Sequence, residues 1–397
     1  INLYRRLTKH LGKNLLNRVI IKYTVMTELF SLGKIYPSDF LKPDEQPRCK
    51  PIELKLVMNE YGDVMLDGTA PKFAMWGKYW YRSGINVTMK KALKDIVDSI
   101  TPLMKFGMGS LWLDVASNDG TLLSFVPNSF IKVGVDPADD NFRNEAERHA
   151  DTIIQDYFSA KVFKDRFKEQ KAKVITSIAM FYDLENPQEF IKDVGEVLDD
   201  DGLWVMQLSY SPLMIKQLAF DNICHEHFYY YSLCNLRRML RKNGFKIVDC
   251  QLNDVNGGSF RVYIMKQKAD ITNFGTQPYR DVCQIRVESL TEYEISLAID
   301  EPELWESFFY RVSVLKKQVV DFITKEKENG KTIWAYGAST KGNTLLQYFG
   351  LDNTLIDGIA DRNYDKRGLR TVGTNIPIYS EEDMRKAKPD YLLILPW

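Results

Sequence analysis

The chain has 397 residues, of which 45% are hydrophobic, 12% aromatic and 27% charged. Those proportions exclude a disordered, collagenous or fibrous chain, and single cores stop growing near roughly 250–300 residues, so two or three domains are expected. Basic and acidic residues balance at 53 each, which supplies no field for nucleic acid, and no apolar stretch is long enough to span a bilayer.

The five cysteines, Cys49, Cys224, Cys234, Cys250 and Cys283, are odd in number, widely spaced and without a C-x-x-C. That is neither a disulfide framework nor a zinc cage, and the expected location is a reducing cytoplasm. Residue 1 is isoleucine, so the natural start is expected to be missing. Residues 1–22 carry Arg5, Arg6, Lys9, Lys13, Arg18 and Lys22 with no acidic residue, and Leu3, Leu7, Leu11 and Leu15 recur every four positions. This spacing reads as a basic amphipathic helix. In a neutral globular chain it is expected first as a helix packed on its own protein, with a transit segment and a contact with anionic lipid as the alternatives.

The first clear nucleotide-binding pattern is Ser110-Leu-Trp-Leu-Asp114-Val-Ala116-Ser117-Asn118-Asp119-Gly120, followed by Thr121-Leu-Leu-Ser-Phe-Val126. Strand, tight loop and helix open a doubly wound α/β domain. A second apolar run, Phe130 to Val135, ends in Asp136, 16 residues past Gly120, where a carboxylate suits a ribose diol. The loop has one glycine and is not G-x-G-x-x-G, so a ligand without phosphates at this loop fits better than a dinucleotide. Strands follow at 172–178 and 203–207, with a helix near 187–198 and a turn at 199–202. The runs 245–250 and 259–264 flank Asn256-Gly257-Gly258, an antiparallel hairpin signal. A parallel sheet closed by such a hairpin is the pattern of class I methyltransferases, with other α/β nucleotide folds as the competing reading.

Between these strands lies Asp221-Asn-Ile-Cys224-His225-Glu226-His227-Phe-Tyr-Tyr-Tyr-Ser232. Two of the four histidines fall here, beside a carboxylate and three phenols. In a strand His225 and His227 share a face with Glu226 opposite, whereas in an irregular loop all three converge. Histidine suits proton abstraction because its ordinary pKa lies near working pH. A metal pair is poorly supported by two histidines alone, and an aromatic-rich core turn is the plain structural alternative. Further on, Lys331 to Tyr336 reads as a strand, Gly337-Ala-Ser339-Thr340-Lys341-Gly342 as a loop, and residues 343–348 as a helix. This is not a Walker loop, but it aims free N–H groups at an anion. Asp361, 24 residues after Gly337, keeps an NAD-like site and a purely structural βαβ unit open as rivals.

Taken together, Asp-Val-Ala-Ser-Asn-Asp-Gly at 114–120, Cys-His-Glu-His at 224–227 and Asn-Gly-Gly-Ser-Phe-Arg at 256–261 resemble the sugar C-methyltransferases, which act on nucleotide-linked keto-hexoses with S-adenosylmethionine. The likeness runs in order over about residues 30–397, through Tyr336-Gly-Ala-Ser-Thr-Lys-Gly-Asn-Thr-Leu-Leu346 and Gly373-Thr-Asn-Ile-Pro-Ile378 to Leu395-Pro-Trp397, and implies that the chain is truncated at its end. The implied fold is α/β: a small N-terminal domain (1–85), a class I methyltransferase domain (86–268), and a helical linker with a second Rossmann-like domain (269–397).

The resemblance implies His227 as the base, with Glu226 and His225 tuning it, and Tyr79 and Tyr81 near the keto oxygen or the donor. Asp114, Ala116, Ser117, Asn118, Asp119, Gly120, Asp136 and Asp156 are expected to line the donor site. Arg261, Ser259, Lys341, Ser339 and Asn343 are expected to hold the nucleotide-diphosphate keto-sugar, with Arg261 and Lys341 on the diphosphate. Where this family carries zinc cysteines, the chain has Met58 and Tyr61, so no zinc is expected and apolar packing must hold the first domain. Family members often have tyrosine where Cys224 stands, and Cys224 reads as a packing residue. An O-methyltransferase, another carbonyl-substrate methyltransferase and a catalytically silent binding protein remain as alternatives.

Overall fold

A computed structural model of the chain describes residues 26–76 and 80–395. The basic helix expected over 1–22, Tyr79 and Trp397 lie outside the described residues.

The N-terminal unit is built on β1 (Thr27–Ile35), β3 (Ile52–Met58) and β4 (Val64–Leu66), paired antiparallel, with the short β2 (Phe40–Leu41) to one side. Alternation in β3 buries Leu54, Leu56 and Met58 on one face. Phe30 stacks on Phe309 of the long helix Pro302–Glu328 with centroids 4.5 Å apart, so this small sheet closes its core against the C-terminal half of the chain. Apolar packing thus takes the structural role expected of it. Met58 is buried within that core, and Tyr61 is exposed.

The central sheet contains β5 (Ser110–Val115), β6 (Phe130–Val135), β7 (Thr152–Ile154), β8 (Ala172–Ile178) and β9 (Leu198–Ser209), all parallel. After β10 (Tyr229–Tyr230) come β11 (Phe245–Asn253) and β12 (Ser259–Lys266), an antiparallel hairpin that joins the sheet on β9. The order is β11-β12-β9-β8-β5-β6-β7. The inner strands are nearly continuous apolar runs because helices cover both faces. Residues 199–202, expected as a turn, form the irregular start of β9, where pairing jumps from Ala172↔Leu198 to Val174↔Leu203. The hairpin turn needs left-handed backbone at Asn256, Gly257 and Gly258 in succession, which explains its glycines.

Two long helices, Gln277–Leu297 and Pro302–Glu328, lead to a parallel sheet of β13 (Ile333–Tyr336), β14 (Gly358–Ala360), β16 (Ile378–Tyr379) and β17 (Tyr391–Ile394). The units interlock. β10 leaves the methyltransferase segment to pair with β4, and β15 (Arg370–Thr371) pairs with β2. Cys224–His227 immediately precede β10, which sets that turn where the three units meet.

Candidate active site

The strand order makes the chain's direction diverge on either side of β5, which opens a crevice at the carboxyl ends of β5 and β8. The loop after β5 holds Ala116, Asn118 and Gly120 at positive φ. A Cβ on Gly120 would stand 2.7 Å from Ala146 Cα, so only glycine lets the loop lie this close to the helix Asp140–Ala146. Asp136 fixes the loop from below. Its carboxylate accepts from Asn118 N–H and from Ala138 N–H, each at 2.8 Å.

A strap from the N-terminal unit crosses over the same loop. Ser83 N–H donates to Asn118 Oδ1 (3.1 Å), Gly84 N–H to Asp119 Oδ2 (2.7 Å), and Asn118 Nδ2 to Tyr81 O (3.1 Å). Arg82 pairs with Glu145 at 2.8 Å and covers the Phe142 ring. Tyr81 itself is half-exposed. Asp114 lies deeper, within the sheet. It accepts from Thr176 Oγ1 at 2.6 Å, and burial pushes its pKa up to about 7. Asp156 is exposed just past β7 and accepts from the next residue's N–H.

These residues suit a donor carrying a ribose and no phosphate. Ser117 Oγ is buried without a hydrogen-bond partner among the described residues, and each Asp136 oxygen keeps lone pairs beyond those its backbone bonds use.

On the opposite lip, residues 224–228 turn tightly, with His227 N–H donating to Cys224 O. The two histidines therefore diverge. His225 points to the N-terminal unit, its Nε2 3.2 Å from Ile52 O, and burial lowers its pKa to about 4. His227 points to the crevice, with Nδ1 2.7 Å from Asn222 O and the ring 4.3 Å from that of Tyr182. A carbonyl only accepts, so the hydrogen sits on Nδ1 and Nε2 keeps a lone pair. Burial first, then the Lys341 ammonium, lowers the His227 pKa to about 3. The imidazole is therefore neutral at pH 7 and, at that pKa, a weak base with its Nε2 lone pair unused. Burial raises Glu226 to about 8, with Asp39 adding to the shift and the Cys224 thiol opposing it. At neutral pH most of this side chain carries a proton. Burial also holds the Cys224 thiol far above the thiolate range, as a packing residue requires. A small cavity beside His227 is lined by Tyr182, Ser209, Asn222, Tyr229 and Tyr230 among others.

The residues expected at the sugar nucleotide scatter. Arg261 corrects its expectation: Nε donates to Gln207 (3.0 Å), and the terminal nitrogens to Ser99 (3.1 Å) and Asp95 (2.8 Å), all inside the methyltransferase domain. In an antiparallel strand paired to β9, its side chain lies against the helix Val87–Ile100, which supplies Asp95 and Ser99. Ser259 Oγ closes the hairpin turn on Val255 O at 2.8 Å. Ser339 caps the helix Thr340–Phe349, accepting from Gly342 N–H at 2.9 Å. Asn343 ties that helix to Ser38 (2.8 Å) and to Asp39 O (3.2 Å). Lys341 alone among them enters the crevice, donating to Asn222 Oδ1 (2.5 Å) and Asn256 O (3.3 Å).

Asn222 and Asp183 escaped the sequence reading. Asp183 is half-buried after β8, near Glu226, with its Oδ1 buried and unpartnered among the described residues; burial drives its pKa well up. Its signal was available, since a polar residue just past the carboxyl end of a central strand is where ligands bind. Among the described residues no cluster of three or more His, Cys, Asp or Glu side chains is arranged to hold a metal.

The sheet order and crevice define a class I methyltransferase domain. Residues 88–249 match a methyltransferase domain family, and residues 254–397 match the C-methyltransferase C-terminal domain. The chain is 29% identical over 325 residues to the C-methyltransferase NovU of Streptomyces niveus, covering 81% of this chain and 75% of that protein. Its two halves thus match the domains of an S-adenosylmethionine-dependent C-methyltransferase. Among solved structures, magnesium protoporphyrin IX methyltransferase of Synechocystis PCC 6803 with bound SAH aligns at 14% identity, over 48% of this chain and 90% of that one, with a TM-score of 0.34. An S-adenosylmethionine-dependent methyltransferase from Clostridium acetobutylicum gives 14%, 45%, 91% and 0.34 in the same order. The strand order, and not these superpositions, defines the fold.

Proposed function

We propose that this C-methyltransferase acts in deoxysugar biosynthesis, methylating a nucleotide-linked keto-hexose on the carbon next to its ketone. The reading is supported foremost by His227, whose Nδ1–H is committed to Asn222 O and whose Nε2 is left as a base beside a small cavity. S-adenosylmethionine supplies an electrophilic methyl group when bound at the loop 116–120. His227 Nε2 takes the α-proton. Glu226, protonated at neutral pH, donates a hydrogen bond toward the negative oxygen that develops. Tyr182 packs on the imidazole and limits water around it. The three units 1–85, 86–268 and 269–397 act together, with the sugar nucleotide in the cleft between the second and third. His225 stands as an anchor to the first unit rather than a partner in proton transfer. Five unpaired cysteines accord with a reducing cytoplasm. Among the described residues no helix is long and apolar enough to cross a membrane.

The test is proton exchange in heavy water on thymidine-diphosphate 4-keto-6-deoxyglucose and related keto-sugars, with S-adenosylhomocysteine present. Exchange at the α-carbon that vanishes in His227→Gln supports the reading. Methyl transfer without any exchangeable α-proton would favour O-methylation instead.

A further inference from the structure

We propose that Lys341, carried into the crevice by the C-terminal domain, is a positioning residue for His227: it clamps Asn222, and Asn222 holds the imidazole with its hydrogen on Nδ1 and its lone pair on Nε2. This rests on the reading of His227 as the base.

An ammonium bound to a diphosphate needs its N–H donors turned toward that ligand. Lys341 instead directs two of them to neutral oxygens on two separate segments of the methyltransferase domain, Asn222 Oδ1 at 2.5 Å and Asn256 O at 3.3 Å. Asn222 is buried and held at its other end too, where Nδ2 donates to Ala219 O at 3.0 Å. With both ends of its amide engaged, the segment has little freedom, and its main-chain oxygen stays aimed at His227 Nδ1, 2.7 Å away. The link from Lys341 to the base is therefore two hydrogen bonds through the single residue Asn222. Because Lys341 sits in the first turn of the helix Thr340–Phe349, the base is complete only when the C-terminal domain is docked.

The titratable groups facing this turn are Asp39 from the N-terminal unit, Tyr182 and Asp183 from the turn after β8, Tyr210 just past β9, Tyr229 and Tyr230 from β10, Asp221, Cys224 and Glu226 from its own segment, and Lys341. Of the charged ones, Lys341 acts most strongly on the imidazole, and it opposes a second positive charge there. Burial lowers the lysine's own pKa, while the Asp221 carboxylate favours its charge.

The test is nitrogen-15 NMR of the full chain labelled at its histidines, of which there are four. The His227→Gln spectrum assigns the resonance. In the wild type His227 is expected as a single Nδ1–H tautomer that stays neutral well below pH 6. In Lys341→Met it should become a mixture of tautomers with its pKa raised by about one unit or more. Lys341→Arg, which keeps charge and donors, should return it to the wild-type pattern. If Lys341→Met does not fold, Lys341→Gln carries the same expectation. A folded Met or Gln variant whose His227 keeps the wild-type tautomer and titration overturns the proposal. The spectra read the imidazole without substrate, so a failure to exchange sugar protons would count against the functional reading alone.

Discussion

Asp136 and Asp361 do the same work in two different sheets. Asp136, after β6, accepts from Asn118 N–H and Ala138 N–H, while Asp361, after β14, accepts from Ala338 N–H and Asn363 N–H at 2.7 Å each. In both halves the acid that ends the second strand fixes the loop that follows the first. The two loops then diverge in use. The strap at 83–84 covers the first one, and the second sends Lys341 across to Asn222.

Asp136→Ala removes the bonds to Asn118 N–H and Ala138 N–H that fix the loop 116–120, and with them the acceptor proposed for the donor's ribose diol. Hydrogen bonds to a charged group are worth about 1.5–3 kcal/mol. Affinity for S-adenosylhomocysteine, followed by calorimetric titration, should fall roughly 10- to 100-fold. An unchanged affinity would place the donor elsewhere.

Glu226 links stability to pH. Its pKa is raised to about 8 in the fold from an ordinary value of 4.5, so the folded state binds more protons than the unfolded one between those limits. Stability from this group is full below pH 4.5 and is lost as pH rises through 8, by about 1.4 kcal/mol per unit at most. His225 and His227 act oppositely, since their pKa values fall to about 4 and 3; what they contribute is full above pH 6.5 and is lost on acidification. Glu226→Gln should therefore flatten the decline in melting temperature from pH 5 to 8 and leave the acid side unchanged.

The sequence made the doubly wound core legible because its strands are uninterrupted apolar runs that end in small polar loops. It also singled out Asp136, which bonds the loop after β5, and His227, which lines a small cavity. Arg261 misled because a strand residue's neighbours across the sheet and on the covering helix are invisible in one dimension. Its partners Gln207, Ser99 and Asp95 come from 54, 162 and 166 positions away. The divergence of His225 from His227 was hidden for a similar reason, since it depends on β10 being drawn onto β4.

Arg261→Met tests that correction. The Arg261 side chain is buried, and its loss leaves the buried Gln207 without its guanidinium partner. Denaturant unfolding should show about 1–3 kcal/mol of lost stability. The Michaelis constant for the sugar nucleotide should stay close to the wild-type value.

Gly120→Ala tests the loop's close approach to its helix. The residue has φ +74°, and the added carbon would press on the Ala146 backbone. The loss of stability should reach about 2 kcal/mol or more, with weakened S-adenosylhomocysteine binding. A variant as stable as the wild type would contradict the geometry.

Carbon methylation with His227 as the base is tested by supplying S-adenosylmethionine carrying a carbon-13 methyl group to the enzyme with a thymidine-diphosphate keto-hexose. A labelled methyl bonded to the carbon beside the ketone is expected, formed by the wild type and slowed about 100- to 10,000-fold in His227→Gln. A methyl group on oxygen, or undiminished transfer by His227→Gln, would contradict it.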